Sequence, residues 1–257
     1  VKLHTDFVGP IQSGLCKMLV IGLGNHKGCS AVHEEAPEVF ADAIEETARL
    51  ILQKAPVGFG IAILENAYDK TYAVEAVPAE HLVEREKELV QIAKGNMPYI
   101  MLDEADVIVC GAIGKDISGA GFDPNILGRS SVLKQFVLHI PRYQRLVLCD
   151  VTPASHGNGI GVGLFDVITK KVAEQLDLES MYANAIACNC LGDASVPCTV
   201  DDEETAIRVA LKCCRNIDRD HPRIIRIQNT LHLGEIEVSE ALLDAVRADS
   251  RMSLIEN

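Results

Sequence analysis

Residues 14–33, GLCKMLVIGLGNHKGCSAVH, hold amines (Lys17, Lys27), imidazoles (His26, His33) and thiols (Cys16, Cys29) around an apolar run and a glycine turn. Such a set can bind a phosphate, hold a metal, or only turn a corner. The segment Gly22 to Gly28 follows an apolar run and precedes a helix start. In that setting glycines let backbone N–H groups approach an anion at a helix N-terminus. Gly24, Asn25, His26 and Lys27 are therefore the candidates to line a phosphate. A dinucleotide fingerprint is not complete: the third glycine of G-x-G-x-x-G comes one residue late, and no strand ending in Asp or Glu follows about 20 residues on. Lys27 is not followed by Ser or Thr, so the turn is not a P-loop.

Lys17 and His33 bracket this stretch. With residues 18–23 read as a strand, a tight turn and the first turn of the next helix fold back and bring both side chains to one crevice. The competing reading makes Lys17 a solvated strand end and His33 a cap or surface residue. Lys115, in IGKDISG, lies just past an expected strand end, where a cation meets a substrate carboxylate or a cofactor phosphate. Asp116 beside it is either a further contact there or a turn cap, and Asp123-Pro124-Asn125 shapes the loop. His156 opens a second glycine-rich loop. Cys188, Cys190, Cys198, Cys213 and Cys214 match no standard zinc spacing.

The elements that must position these groups alternate. Strands are expected at 18–23, 59–66, 71–77, 106–112, 145–151 and 223–228, the second and third forming a pair across a polar turn. Helices are expected from Ser30 with a break at Pro37, over 79–94, 161–176 and 201–214, and from Ser239. Continuous apolar strands between helices imply an α/β fold with a largely parallel sheet covered on both faces, and function beyond the carboxyl ends of its strands.

The runs HTDFVGPIQSGLCKMLVIGLGNHKGCSAVH (4–33), GAIGKDISGAGFDPNILGR (111–129), SHGNGIGVGLFD (155–166) and RIQNTLHL (226–233) resemble the lactate racemase-like branch of the nickel-pincer lactate racemase family. The resemblance implies that Lys17 is joined covalently to a pyridinium-3,5-bisthiocarboxylic acid mononucleotide that grips nickel. It implies that His33, sixteen residues later, is the fourth nickel ligand. Soft sulfur donors with one imidazole suit square-planar Ni(II). The implied reaction is racemisation or epimerisation of a small 2-hydroxy acid, with hydride transfer to and from the cofactor and a histidine base on each face of the planar intermediate. His4 matches one of those two bases. The second histidine and a substrate-gripping arginine fall, in the family, within an upstream N-terminal domain. The expectation is thus a two-lobed enzyme of which residues 1–257 are the cofactor-holding region, with 1–35 facing that upstream domain. Two other readings stay open: an NAD-type oxidoreductase using the glycine turn, and a non-catalytic binding domain that has lost the cofactor.

Composition sets the remaining bounds. The 257 residues carry a formal net charge of −13, which disfavours a nucleic-acid partner. Apolar runs are too short to span a bilayer, which argues against a membrane partner. Nine cysteines, an odd number scattered through strand-like segments, suit buried thiols in a reducing cytoplasmic setting. Homo-oligomerisation is left open.

Overall fold

The computed structural model describes Val1, residues 7–133 and residues 136–255, except for the side chains of His26 and Cys29. His4, expected to be one of the two bases, therefore lies outside the described residues. Strands β3 (Val107–Cys110), β4 (Arg145–Leu148), β5 (Val167–Thr169), β6 (Cys198–Val200), β7 (Ile224–Ile227) and β8 (Glu237–Val238) form one six-stranded sheet in the order β6-β5-β4-β3-β7-β8. All neighbouring pairs are parallel except β7 with β8. All four residues of β3 are buried. Val107 and Val109 pack with Ala206 and Ala210 of helix α8 (Glu203–Lys212). Ile108 and Cys110 join Phe122, Ile126, Leu146, Leu148, Ile225 and Ile227 in the larger core. A strand covered on both faces has no reason to alternate polar with apolar, which is why VIVC reads as a continuous apolar run. The α/β expectation with a largely parallel sheet holds.

The chain steps from β3 outward through β4, β5 and β6, then returns to place β7 on the other side of β3. The loops beyond the carboxyl ends of β3, β4 and β7 consequently diverge around one point, the place where open α/β sheets hold their ligands. An isolated parallel bridge between Ile113 and Val151 carries the line of β3 and β4 into those loops.

Residues before β3 build a second hydrophobic cluster. It contains Cys16 and Val20, then Ile44 and Ala48 of α3 (Phe40–Lys54). The hairpin β1 (Phe59–Glu65) and β2 (Thr71–Pro78) adds Ala62, Leu64 and Val77, and α4 (Leu82–Gly95) adds Val83 and Leu89. The hairpin turn is set by Asn66, whose Oδ1 accepts from the backbone N–H of Tyr68 and Lys70.

Several elements differ from expectation. Residues 18–23 are not a strand. Helix α1 (Leu15–Lys17) runs into a π-helical turn, Met18–Gly22, closed by Leu23 N–H to the carbonyl of Met18. The apolar residues of KMLVIGLG are used with helical spacing: Cys16 and Val20, four apart, are buried, whereas Met18 and Leu23 are exposed. Helix α2 (Asn25–His33) then starts five residues before the expected Ser30. The expected helix at 161–176 holds a 3-10 turn at Val162–Leu164, then β5, and only then α6 (Lys170–Gln175). Strand β6 and helix α7 (Leu178–Ala187) were not expected.

Candidate functional site

Lys17 is the half-buried last residue of α1 rather than the start of a strand. Beneath it, the N–H of Cys16 donates to Oε2 of Glu86 at 2.6 Å. Glu86 is fully buried on α4, and its other oxygen has no hydrogen-bond partner among the described residues. Burial pushes this carboxyl up, and together with the carboxylate it pushes the Cys16 thiol up as well. Gly14 is required here, because a Cβ would lie 2.5 Å from Glu86 Oε1.

Gly24, Asn25, His26 and Lys27 do open a helix, as a phosphate site requires, but they follow a helical segment. The strand-turn-helix setting on which a dinucleotide reading of this turn depends is not formed. Gly24 is the N-cap residue, with no side-chain cap, and a Cβ there would meet the Val20 carbonyl at 2.2 Å. Asn25 adopts φ +53, and its amide donates to the Leu23 carbonyl at 3.4 Å. Lys27 is exposed; the side chain of His26 lies outside the described residues.

His33 is the last residue of α2, not in its first turn, so it stands about 13 Å along the axis from Gly24. A helix C-terminus favours a cationic imidazole. The ring lies edge-on to Phe40, with centroids 5.1 Å apart, and is near enough to Cys188 to lower its thiol pKa. Cys188 is the C-cap residue of α7, a helix that α2 packs against. Its thiol is pulled well below the usual thiol range, to about 4. The Cys190 thiol donating to it is the first cause and the His33 hydrogen bond the second; the charges of His33 and Lys115 add to these against partial burial.

Lys115 enters the same cluster from the loop beyond β3. Its Nζ donates to the Gly119 carbonyl at 2.6 Å and to Oδ1 of Asn184 on α7. The Asn184 amide donates to Cys188 Sγ at 3.5 Å. Burial pushes Lys115 down, and the negative charge of the Cys188–Cys190 pair opposes that shift. Its backbone N–H donates to Ser155 Oγ at 2.9 Å, tying the β3 loop to the loop beyond β4. Asp116 accepts from Thr152 Oγ1, which shares a hydrogen bond with Ser155 Oγ at 2.9 Å. Asp116 thus fastens the two loops together, and Gly114 makes this contact sterically feasible because a Cβ would sit 1.9 Å from Thr152 Oγ1. Asp123 caps α5 (Pro124–Leu127) by accepting from Asn125 N–H at 2.9 Å. Asp193 closes the floor: it is buried, its Oδ1 lacks a partner, and burial pushes its carboxyl up.

The structure therefore brings His33 and Lys115 to one cluster around Cys188 and sets Gly24–Lys27 at the far end of α2. Sequence reasoning missed Cys188, Cys190, Asn184, Asp193 and Glu86. The C-x-C of Cys188 and Cys190 was the available signal, set aside because it fits no zinc spacing. Among the described residues no group of three or more His, Cys, Asp or Glu is arranged to hold a metal ion, and no helix is long and apolar enough to cross a membrane. Comparison with protein families, curated proteins and solved structures found no match to this chain.

Proposed function

We propose that this chain is the cofactor-holding region of a cytoplasmic 2-hydroxy acid racemase or epimerase of the nickel-pincer type, working with an upstream N-terminal domain in a two-lobed enzyme. The observation that carries this reading is the meeting of His33 and Lys115, from α2 and the β3 loop, around Cys188 at the carboxyl ends of the strands. The two residues were assigned to one site from separate stretches of sequence, and the fold gives them a common neighbour.

The side-chain chemistry of these residues suits the group. His33 is an imidazole on a helix end whose orientation is fixed by Phe40 and Cys188, as a metal-ligating histidine needs. Nickel held by His33 would take its remaining donors from the pincer. Lys17 supplies the amine for the tether, and Gly24, Asn25, His26 and Lys27 supply N–H groups and a cation for the phosphate. When bound, the pincer supplies the hydride acceptor. Lys115 receives the substrate carboxylate, its ammonium held between the Gly119 carbonyl and Asn184. Asp116 keeps the Lys115 loop against the β4 loop, and His4 serves as one proton acceptor for the substrate hydroxyl.

The test is the protein made together with the enzymes that build the cofactor, incubated with a panel of chiral 2-hydroxy acids and analysed by chiral chromatography. Interconversion of one pair, abolished in His33→Ala and weakened mainly through KM in Lys115→Met, supports the reading. Cofactor-loaded protein that leaves every acid optically unchanged refutes it.

A further inference from the structure

The hairpin β1–β2 is apolar on both faces. One face packs on α1 and α4 through Ala62, Leu64 and Val77, and there Glu75 pairs with Arg85 at 2.7 Å. The other face carries Phe59, Ile61 and Ile63, whose cross-strand partners are Pro78, Ala76 and Val74. Tyr72, at the irregularity where the register shifts, extends the row. Phe59, Ile61, Ile63, Tyr72 and Val74 are between 49% and 63% exposed. An antiparallel sheet with one solvated face alternates apolar with polar residues, and this hairpin does not. Nor does it carry the outward lysines that guard exposed β-structure against association.

We propose that this bare face is a dimer interface on which a second copy of the chain packs its own hairpin about a two-fold axis. Three observations select a second copy. With a full aromatic side chain worth about 150–250 Å², the row with Ala76 and Pro78 offers roughly 600–800 Å². That exceeds the few hundred Å² a monomer usually exposes in one patch and approaches the ~800 Å² each partner contributes to a standard interface. A two-fold contact sets the same patch against itself, and no Asp, Glu, Lys or Arg stands among Phe59, Ile61, Ile63, Tyr72, Val74, Ala76 and Pro78, the first carboxylate being Glu65 at the end of β1, so the centre of a self-contact opposes no like charges although the chain carries −13 overall. Finally, two-stranded sheets pack face to face readily, with interdigitating apolar side chains. The inference stands apart from the catalytic reading.

The experiment is sedimentation velocity of the full chain from about 1 to 100 µM, beside Ile61→Lys/Val74→Lys, the milder Val74→Thr, and Leu50→Lys on α3 as an exposed apolar site off the face. Far-UV circular dichroism checks each fold. The expected result is a mass of twice 27.9 kDa for the wild type and Leu50→Lys, a single-chain mass for the double variant, and dimerisation weakened several-fold in Val74→Thr. A wild type that stays a single chain at 100 µM overturns the proposal and leaves the face to a different partner. A folded double variant that still dimerises overturns it too, by placing the contact elsewhere.

Discussion

Cys188 offers a reading of the site that needs no bound group. An ordinary thiol with a pKa near 8.5 is about 3% ionised at pH 7, so its alkylation rate climbs roughly 70-fold between pH 6 and pH 8. Cys188, held near 4 by the Cys190 thiol and the His33 ring, is already thiolate across that window. Its labelling rate by iodoacetamide should therefore change less than about two-fold from pH 6 to pH 8. Per thiolate the reaction is slower than for an ordinary cysteine, because nucleophilicity falls with pKa. Removing the donors should restore the dependence: Cys190→Ala and His33→Ala should each move the inflection upward by about one pH unit or more. The assay is peptide mass spectrometry of the Cys188 peptide after timed alkylation, with urea-unfolded protein as the ordinary-thiol reference. A wild-type rate that rises ten-fold per pH unit between 6 and 8, like the unfolded reference, refutes the placement of His33 and Cys190 around this sulfur.

Four further outcomes concern other parts of the structure. Glu86→Ala strips the acceptor from the Cys16 N–H and should cost about 1–3 kcal/mol in urea unfolding. Because burial raises the Glu86 carboxyl above its unfolded value, its contribution is present at low pH and lost as pH rises, so wild-type stability should fall more between pH 5 and pH 8 than that of Glu86→Gln. Arg223→Ala removes the partner of buried Asp106, which Arg223 meets at 2.8 Å, and the denaturation midpoint should report a loss of about 2–4 kcal/mol, moderated because Arg223 is itself half-exposed. Gly114→Ala drives a methyl into Thr152 Oγ1 and should separate the Lys115 loop from the β4 loop, lowering Tm and loosening amide-exchange protection at 114–118.

The buried centre of the sheet was legible because β3, β4 and β7 are short, continuous apolar runs between polar boundaries, and the hairpin because a polar turn separates two β-rich runs. The run at 18–23 misled for the same reason. A short apolar run such as residues 18–23 looks alike whether a strand or one helical turn buries it, and here contacts with α3 and α4 settle the matter in favour of helix. Strand β5 is three residues long, too short to show a period, and α7 follows α6 after a break at Asp177 that sequence reading does not resolve as a cap, although Asp177 accepts from the N–H of Glu179 and Ser180. At the site, Lys115 was legible from its place after a strand. Cys188 and Asn184 were not, because their role depends on α7 packing beside α2, a contact between segments some 150 residues apart that local spacing does not encode.

The central claim, that Lys17 and His33 hold one organometallic group, is tested most directly by mass spectrometry of the Lys17 peptide. The sample is protein produced with the cofactor-building enzymes and analysed for nickel in parallel. The account predicts a pincer-sized mass increment on Lys17 with matching nickel. The increment should be lost in Lys17→Arg, and in His33→Ala it should persist with nickel depleted. An unmodified Lys17 in protein from cells shown to make the cofactor contradicts it.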